Sequence, residues 1–194
     1  MGLVWDLMEG ARNCVQGYAR VQPGEQVVLW TDRSGEAHPD VVEAFGTAVE
    51  EVGAEAVLLC SKAVVHRLKQ PLQKPVLSAI RDADVILSFH GLENAATLHN
   101  NDVAEVIFYT PTRNVAVISL TPELLASDWA RFPADLVFRI YQKVREQALS
   151  SGTDVFRVTD EHGTDFTGRI AYRAGFKFVD PPKQWQFFPG GEMA

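Results

Sequence analysis

The sequence is short of the residues from which several functional classes are built. It holds two cysteines, Cys14 and Cys60, in 194 residues. They are too few and too scattered for a disulfide framework or a Cys-x-x-Cys metal site, and both read as reduced core thiols, one in a helix and one in a buried strand. Cations are outnumbered, 18 Lys and Arg against 25 Asp and Glu, for a net charge of -7. With no basic stripe, this balance argues against nucleic acid or any other polyanion as a partner. No stretch approaches the roughly 18 consecutive apolar residues of a membrane span, and the start MGLVWDLMEGARNC has no basic leader followed by a long apolar run. The expectation is a cytoplasmic protein without a membrane partner. Asp6 stands where a myristoylation signal wants Ser or Thr. Neither G-x-G-x-x-G nor G-x-x-x-x-G-K-[ST] occurs, so no glycines allow backbone to wrap the phosphates of a dinucleotide or P-loop nucleotide. Asp32, Arg33 and Ser34 therefore read as a solvated loop that caps the next helix. Internal repeats and low-complexity tracts are also missing.

What is present is an ordinary globular composition, 46% hydrophobic and 22% charged, with room for one sizeable core or a compact domain plus an appendage. Residues 3 to 20 place Leu3, Leu7, Cys14 and Tyr18 near one helical face before the Pro-Gly break of QPGEQ. VVLWT (27–31) is a continuous β-branched apolar run, as expected of a strand covered on both faces. A helix follows Pro39, with Val41, Val42, Phe45, Val49 and Val52 at helical spacing and Gly53 as its C-cap. The unit then repeats in type: strands at 56–60, 84–89 and 115–119, a short helix at 75–82 and a long one at 133–149. Strands alternating with helices imply right-handed crossovers, and hence an α/β fold, a three-layer Rossmann-like or flavodoxin-like mainly parallel sheet with helices on both faces. After Gly152 the pattern becomes apolar/polar alternation around DEHG, which predicts an antiparallel hairpin over 153–173 turning near Glu161 to Gly163. The predicted division is an α/β domain over 1–151 and a small antiparallel β appendage over 152–194.

Candidate chemistry is sparse. SFHGLENAATLHNND places His90, Glu93, His99 and Asp102 in a short span after a strand, but the spacing fits no compact metal motif. His90 and Asn94 remain as pocket-lining candidates, against the plainer reading of loop and helix-cap residues. His66, beside Arg67 and Lys69, reads as a surface residue, and Trp5, Trp30 and Trp129 as core or rim aromatics. The ending WQFFPGGEMA holds Glu192 on a Pro-Gly-Gly turn; taken alone, that is an exposed carboxylate.

The stretch VFRVTDEHGTDFTGRIAYRAGFKFVDPPKQWQFFPGGE carries a resemblance that spans essentially the whole chain. It resembles the junction in thermophilic metalloaminopeptidases of the aminopeptidase T type, where a GTD turn between two strands and a P-x-G-E segment lead into a metal-binding domain. The matching residues are Gly163, Thr164, Asp165, Pro189, Gly191 and Glu192. GYARVQPGEQVVLWTD and AVEEVGAEAVLL likewise resemble that family's amino-terminal α/β domain and its relative, the iron-dependent 2,5-dihydroxypyridine ring-cleaving dioxygenase. The resemblance implies that Glu192 is one ligand of a divalent metal, zinc, cobalt or similar, with Asp165 as a supporting residue. A carboxylate directly after two glycines suits that task, since it offers hard oxygen donors where the backbone can approach closely. The resemblance also implies that the other ligands lie beyond Ala194. It predicts the amino-terminal domain of an aminopeptidase-like hydrolase, inactive as the 194-residue chain and serving small peptide substrates through a parent enzyme. The alternatives it leaves are a ring-cleaving branch with iron(II) and a small aromatic substrate, and a non-catalytic pocket-shaping or homodimer-forming module.

Overall fold

The computed structural model describes residues 3–33, 37–62, 72–90, 110–150, 155–169, 185–188 and 191–192. The chain opens with helix α1 (Leu3–Arg12), which widens into a π-helical segment over Asn13–Tyr18. Leu7, Met8, Ala11, Cys14, Val15 and Tyr18 are buried along it, at the spacing that keeps one helical face inward. Arg20, in the left-handed region at φ 51°, ends the run. Its carbonyl accepts from Arg113 Nη1 at 2.9 Å, and the same guanidinium pairs with Glu25, which fastens the turn to the sheet.

Among the described residues, five parallel strands follow from the apolar runs. They are β1 (Gln26–Asp32), β2 (Glu55–Ser61), β3 (Val85–His90), β4 (Arg113–Ile118) and β7 (Trp185–Phe188). The two-residue β8 (Gly191–Glu192) folds back antiparallel on β7, giving the sheet order β2-β1-β3-β4-β7-β8. Among the parallel strands this is the doubly wound, flavodoxin-like order. Between β4 and β7 come two one-turn helices, α4 (Pro122–Leu125) and α5 (Asp128–Arg131), and the long α6 (Ala134–Ser150). A separate antiparallel pair follows, β5 (Val155–Thr159) with β6 (Asp165–Arg169).

Helices cover both faces because the side chains of each strand alternate between them. Val27, Leu29, Val85, Leu87, Phe89, Val115, Val117 and Phe188 face α1, α6 and the helix α2 (Pro39–Glu51). Val28, Trp30 and Ile86 face the helix α3 (Lys74–Asp82) through Val76 and Ile80. The larger core is locked by edge-to-face aromatics: Phe45 meets Phe89 at 5.1 Å and Phe188 at 6.0 Å, and Phe188 meets Tyr18 at 5.2 Å.

The parallel sheet, the helices on both faces and the late hairpin agree with the sequence pattern. Gly53, at φ 84°, takes the left-handed position after α2, and its carbonyl accepts from Gly24 at 2.8 Å. Trp30 is buried, whereas Trp129 lies 61% exposed at the rim. Two expectations are corrected. Cys60 is exposed, not a core thiol, because its apolar run is the sheet's edge strand. Asp32 is the buried last residue of β1, not part of a solvated loop, and the cap of α2 is His38, whose Nδ1 accepts from Asp40 N at 3.3 Å. Of the β structure after residue 152, 155–169 form the separate hairpin, and 185–188 with 191–192 join the main sheet beside β4.

Candidate functional site

In an open doubly wound sheet the crevice for ligands lies at the carboxyl ends of the strands where the winding reverses. Here that place is between β1, which leads through α2 to one edge, and β3, from which the chain proceeds to the other. Trp30 pairs with Ser88 across these strands, and continuing that register brings Asp32 level with His90. His90 in turn pairs with Ile118 on β4. This row forms the upper rim of the sheet. Next to it Ser119 sits at φ 50°, a conformation that a non-glycine residue holds only where its surroundings enforce it. Below the rim the polar groups are paired within the sheet: Trp30 Nε1 donates to Ser61 Oγ at 3.0 Å, and Thr112 Oγ1 donates to the Ala83 carbonyl at 3.0 Å.

Glu192 lies elsewhere. It pairs with Gln186, which pairs with Val115, which pairs with Leu87, so its row is three residues below that of His90. Three residues at about 3.3 Å and three strand spacings at about 4.8 Å separate the two backbones by roughly 17 Å. By backbone register, His90 and Glu192 thus stand in separate rows of the sheet. Asn94 lies outside the described residues.

Asp165 has a different task. Its Oδ1 and Oδ2 accept from Arg157 Nε and Nη2, each at 2.7 Å, in a bidentate cross-strand pair. That pairing lowers the Asp165 carboxyl below its usual range. The preceding turn is held by Asp160, whose Oδ1 accepts from the backbone of His162 and Thr164 at 2.9 Å each and whose Oδ2 accepts from the Thr164 hydroxyl at 2.5 Å. The Thr164 bonds likewise lower Asp160. With Gly163 left-handed at φ 96°, the GTD sequence builds this hairpin turn through all three of its residues. Among the described residues no group of three or more His, Cys, Asp or Glu is placed to hold a metal.

Two hollows are formed by described residues. A groove of about 550 Å³ runs between α2 and the β1–β2 edge, floored by Leu29, Ala56, Leu58 and Cys60, walled by Glu43 and Glu50, with Asp32 also lining it. The sequence offered a sign of it, since Glu43 and Glu50, seven apart, fall on one helix face, but the buried Asp32 gave none. A smaller hollow of about 240 Å³ is lined by Tyr18, Trp129, Phe132, Val137, Ile140 and Tyr141. No helix among the described residues is long and apolar enough to cross a membrane.

Strand order, crossovers and the paired late hairpin define an α/β domain of the doubly wound class that carries a β extension. The chain belongs to the family of NicX, 2,5-dihydroxypyridine 5,6-dioxygenase, whose model matches residues 11–194. Among solved structures it is similar to 2,5-dihydroxypyridine dioxygenase from Pseudomonas putida KT2440, with a TM-score of 0.55 and 16% identity over 95% of this chain and 54% of that one. It is also similar to wild-type AmpT from Thermus thermophilus, with a TM-score of 0.52 and 14% identity over 85% of this chain and 53% of that one. The chain thus spans about half the length of these structures, and at such identities the likeness is one of fold. No curated protein sequence matches it.

Proposed function

We propose that this chain is the α/β domain of a ring-cleaving dioxygenase that acts on a small hydroxylated aromatic compound with iron(II), the domain framing the substrate pocket beside a metal held by other residues. The observation that carries this reading is the family match over residues 11–194. The described residues do not themselves fit a metal: none form a ligand group, Asp165 is engaged by Arg157, and Glu192 stands far from the rim that holds His90. Their contribution is a rigid parallel sheet whose rim of Asp32, His90 and Ser119 can bound a pocket, a role in which Asn94 joins His90.

A second reading, a metallo-aminopeptidase-like hydrolase using zinc or cobalt, is favoured by Glu192 itself. That residue follows Pro189 and Gly191 as in the aminopeptidase pattern and would supply one metal ligand there, with a small peptide as substrate. The experiment is an assay of the longest natural polypeptide that carries these residues. It is supplied with iron(II) and 2,5-dihydroxypyridine under oxygen-uptake recording, and separately with zinc or cobalt and leucine p-nitroanilide. Oxygen uptake coupled to loss of the aromatic absorbance supports the first reading, and amide hydrolysis abolished by Glu192→Gln supports the second. Calorimetric titration of the 194-residue chain with zinc, cobalt and iron(II) should show no stoichiometric tight site. One of submicromolar affinity that depends on Glu192 would overturn the domain assignment.

A further inference from the structure

β2 lies at the outer edge of the sheet, with no strand beyond it among the described residues. Natural edge strands are usually blunted by lysine, proline, a bulge or shortness. EAVLLCS, seven residues long and in unbroken register with β1, has none of these devices. It carries one bare apolar side chain on each face: Leu58 is 63% exposed on the α2 side, and Val57 is 47% exposed on the other.

The direction of its backbone groups can be read from the hydrogen bonds at its two ends. Glu55 N donates to Glu25 O at 2.8 Å, and Ser61 O accepts from Arg33 N at 3.1 Å, so the odd-numbered residues of β2 point their polar backbone groups at β1. With a period of two, Ala56, Leu58 and Cys60 turn their N–H and C=O groups to the open edge. The side chains of these same three residues floor the 550 Å³ groove, and the carboxylates of Glu43 and Glu50 stand along its opposite wall.

We infer that this edge binds an extended, basic polypeptide segment by strand addition. The segment's backbone would pair with Ala56, Leu58 and Cys60, its lysine or arginine stems would lie over Leu58 toward Glu43 and Glu50, and its alternate β-branched residues would meet Val57 on the other face. Charge selects this occupant. A second copy paired edge to edge about a two-fold axis would set the Glu43 and Glu50 walls of both copies along one shared floor, on a chain already at net charge -7. A basic segment removes that repulsion. The inference rests on the groove and the edge, and does not depend on which reaction the family reading assigns.

The test titrates the 194-residue chain with acetyl-Lys-Val-Lys-Val-Lys-Val-amide and with its Glu-Val counterpart, following amide hydrogen exchange. Binding of the lysine peptide with new protection at Ala56, Leu58 and Cys60 is expected, together with affinity about tenfold or more weaker for the Glu43→Lys, Glu50→Lys double variant. If that variant does not fold, raising the salt to about 1 M, where the screening length falls to about 3 Å, should weaken binding to the unaltered chain. Lysine-peptide binding indifferent to charge reversal or salt, equal binding of the Glu-Val peptide, or protection at other strands would overturn the inference. So would failure of the lysine peptide to bind at millimolar concentration. Concentration-dependent dimerisation that protects the same amides without peptide would assign the edge to a second copy and overturn it as well.

Discussion

Gly10→Ala in α1 should destabilise the protein even though alanine is the better helix former. In a helix interior the exchange ordinarily gains about 1 kcal/mol from the reduced backbone entropy of the unfolded chain. At Gly10, however, an added Cβ would stand 2.3 Å from the Leu125 carbonyl oxygen, 2.7 Å from Leu125 Cδ1 and 3.2 Å from Ala130 Cβ. The first of these is backbone at the end of α4, so no rotamer change relieves it. Either α1 moves away from α4 and α5 or the carbonyl does, and overpacking of this kind costs roughly 1–3 kcal/mol, occasionally more. With a backbone clash this close the upper part of that range, about 2–3 kcal/mol, applies; less the gain of about 1 kcal/mol, the net expectation is a loss of about 1–2 kcal/mol, or a fall in Tm of several degrees for a chain of this size. Gly46→Ala in α2 is the internal control, because there the nearest atom to the new Cβ is Leu29 Cδ1 at 3.5 Å, an ordinary contact. It should show the helix-propensity gain of about 1 kcal/mol. Paired denaturant titrations measure both, and a Gly10→Ala protein as stable as the parent would refute the close approach of α1 to α4.

Further expectations follow from the same geometry. Burial raises the Cys14 thiol well above its usual range, so a thiol reagent should label exposed Cys60 in the native protein and reach Cys14 only on unfolding; rapid native labelling of both would contradict the packing of the π-helical segment. Truncating Phe188, packed against Tyr18 and Phe45, to alanine should cost about 3–5 kcal/mol and expose the β7 amides to exchange, and a loss below about 1 kcal/mol would deny β7 its place in the core. Asp160 and Asp165 have folded-state pKa values below their ordinary ones. Their stabilisation of the hairpin is therefore full above the unfolded carboxylate value of about 3.9 and is lost as pH falls through the lower folded values. Protection factors at His162 and Thr164, referred to the intrinsic exchange rate at each pH, should fall as pH drops below about 3.9, and unchanged protection well below that value would count against the Asp160 turn.

The interior strands were legible because runs such as VVLWT and DVILSF admit no other reading: they are too short for helices and too apolar for loops. The same rule misled at β2, since AVLLC has the composition of a covered strand while the fold leaves it at an edge. Position in a sheet is a long-range property that local hydropathy does not encode. WQFF was hidden for a related reason. Four residues after a turn-rich stretch carry little periodicity, and their membership of the sheet depends on β4 having an open side and on Phe188 finding Tyr18 and Phe45. Asp32 read as solvent-exposed because aspartate usually is. At the candidate site, the motif residues Gly163, Thr164 and Asp165 were visible in the chain, but their work in the hairpin turn required the pairing of β5 with β6 and the side chain of Arg157. For His90 and Glu192, only the strand register revealed the distance between them.

The insertion of β7 beside β4 also orders events in time. As the chain leaves the ribosome, α1 to β4 can begin to associate, yet the edge of β4 and the slot for Phe188 stay open until residues 119 to 184 have been added. At roughly 5–20 residues per second that interval is about 3 to 13 seconds. During it the nascent sheet has two raw borders instead of one, β2 and β4, both apolar. Sheltering the unfinished sheet until β7 arrives is thus a task for the synthesis machinery and its chaperones, and a stalled ribosome between those residues would leave an adhesive product.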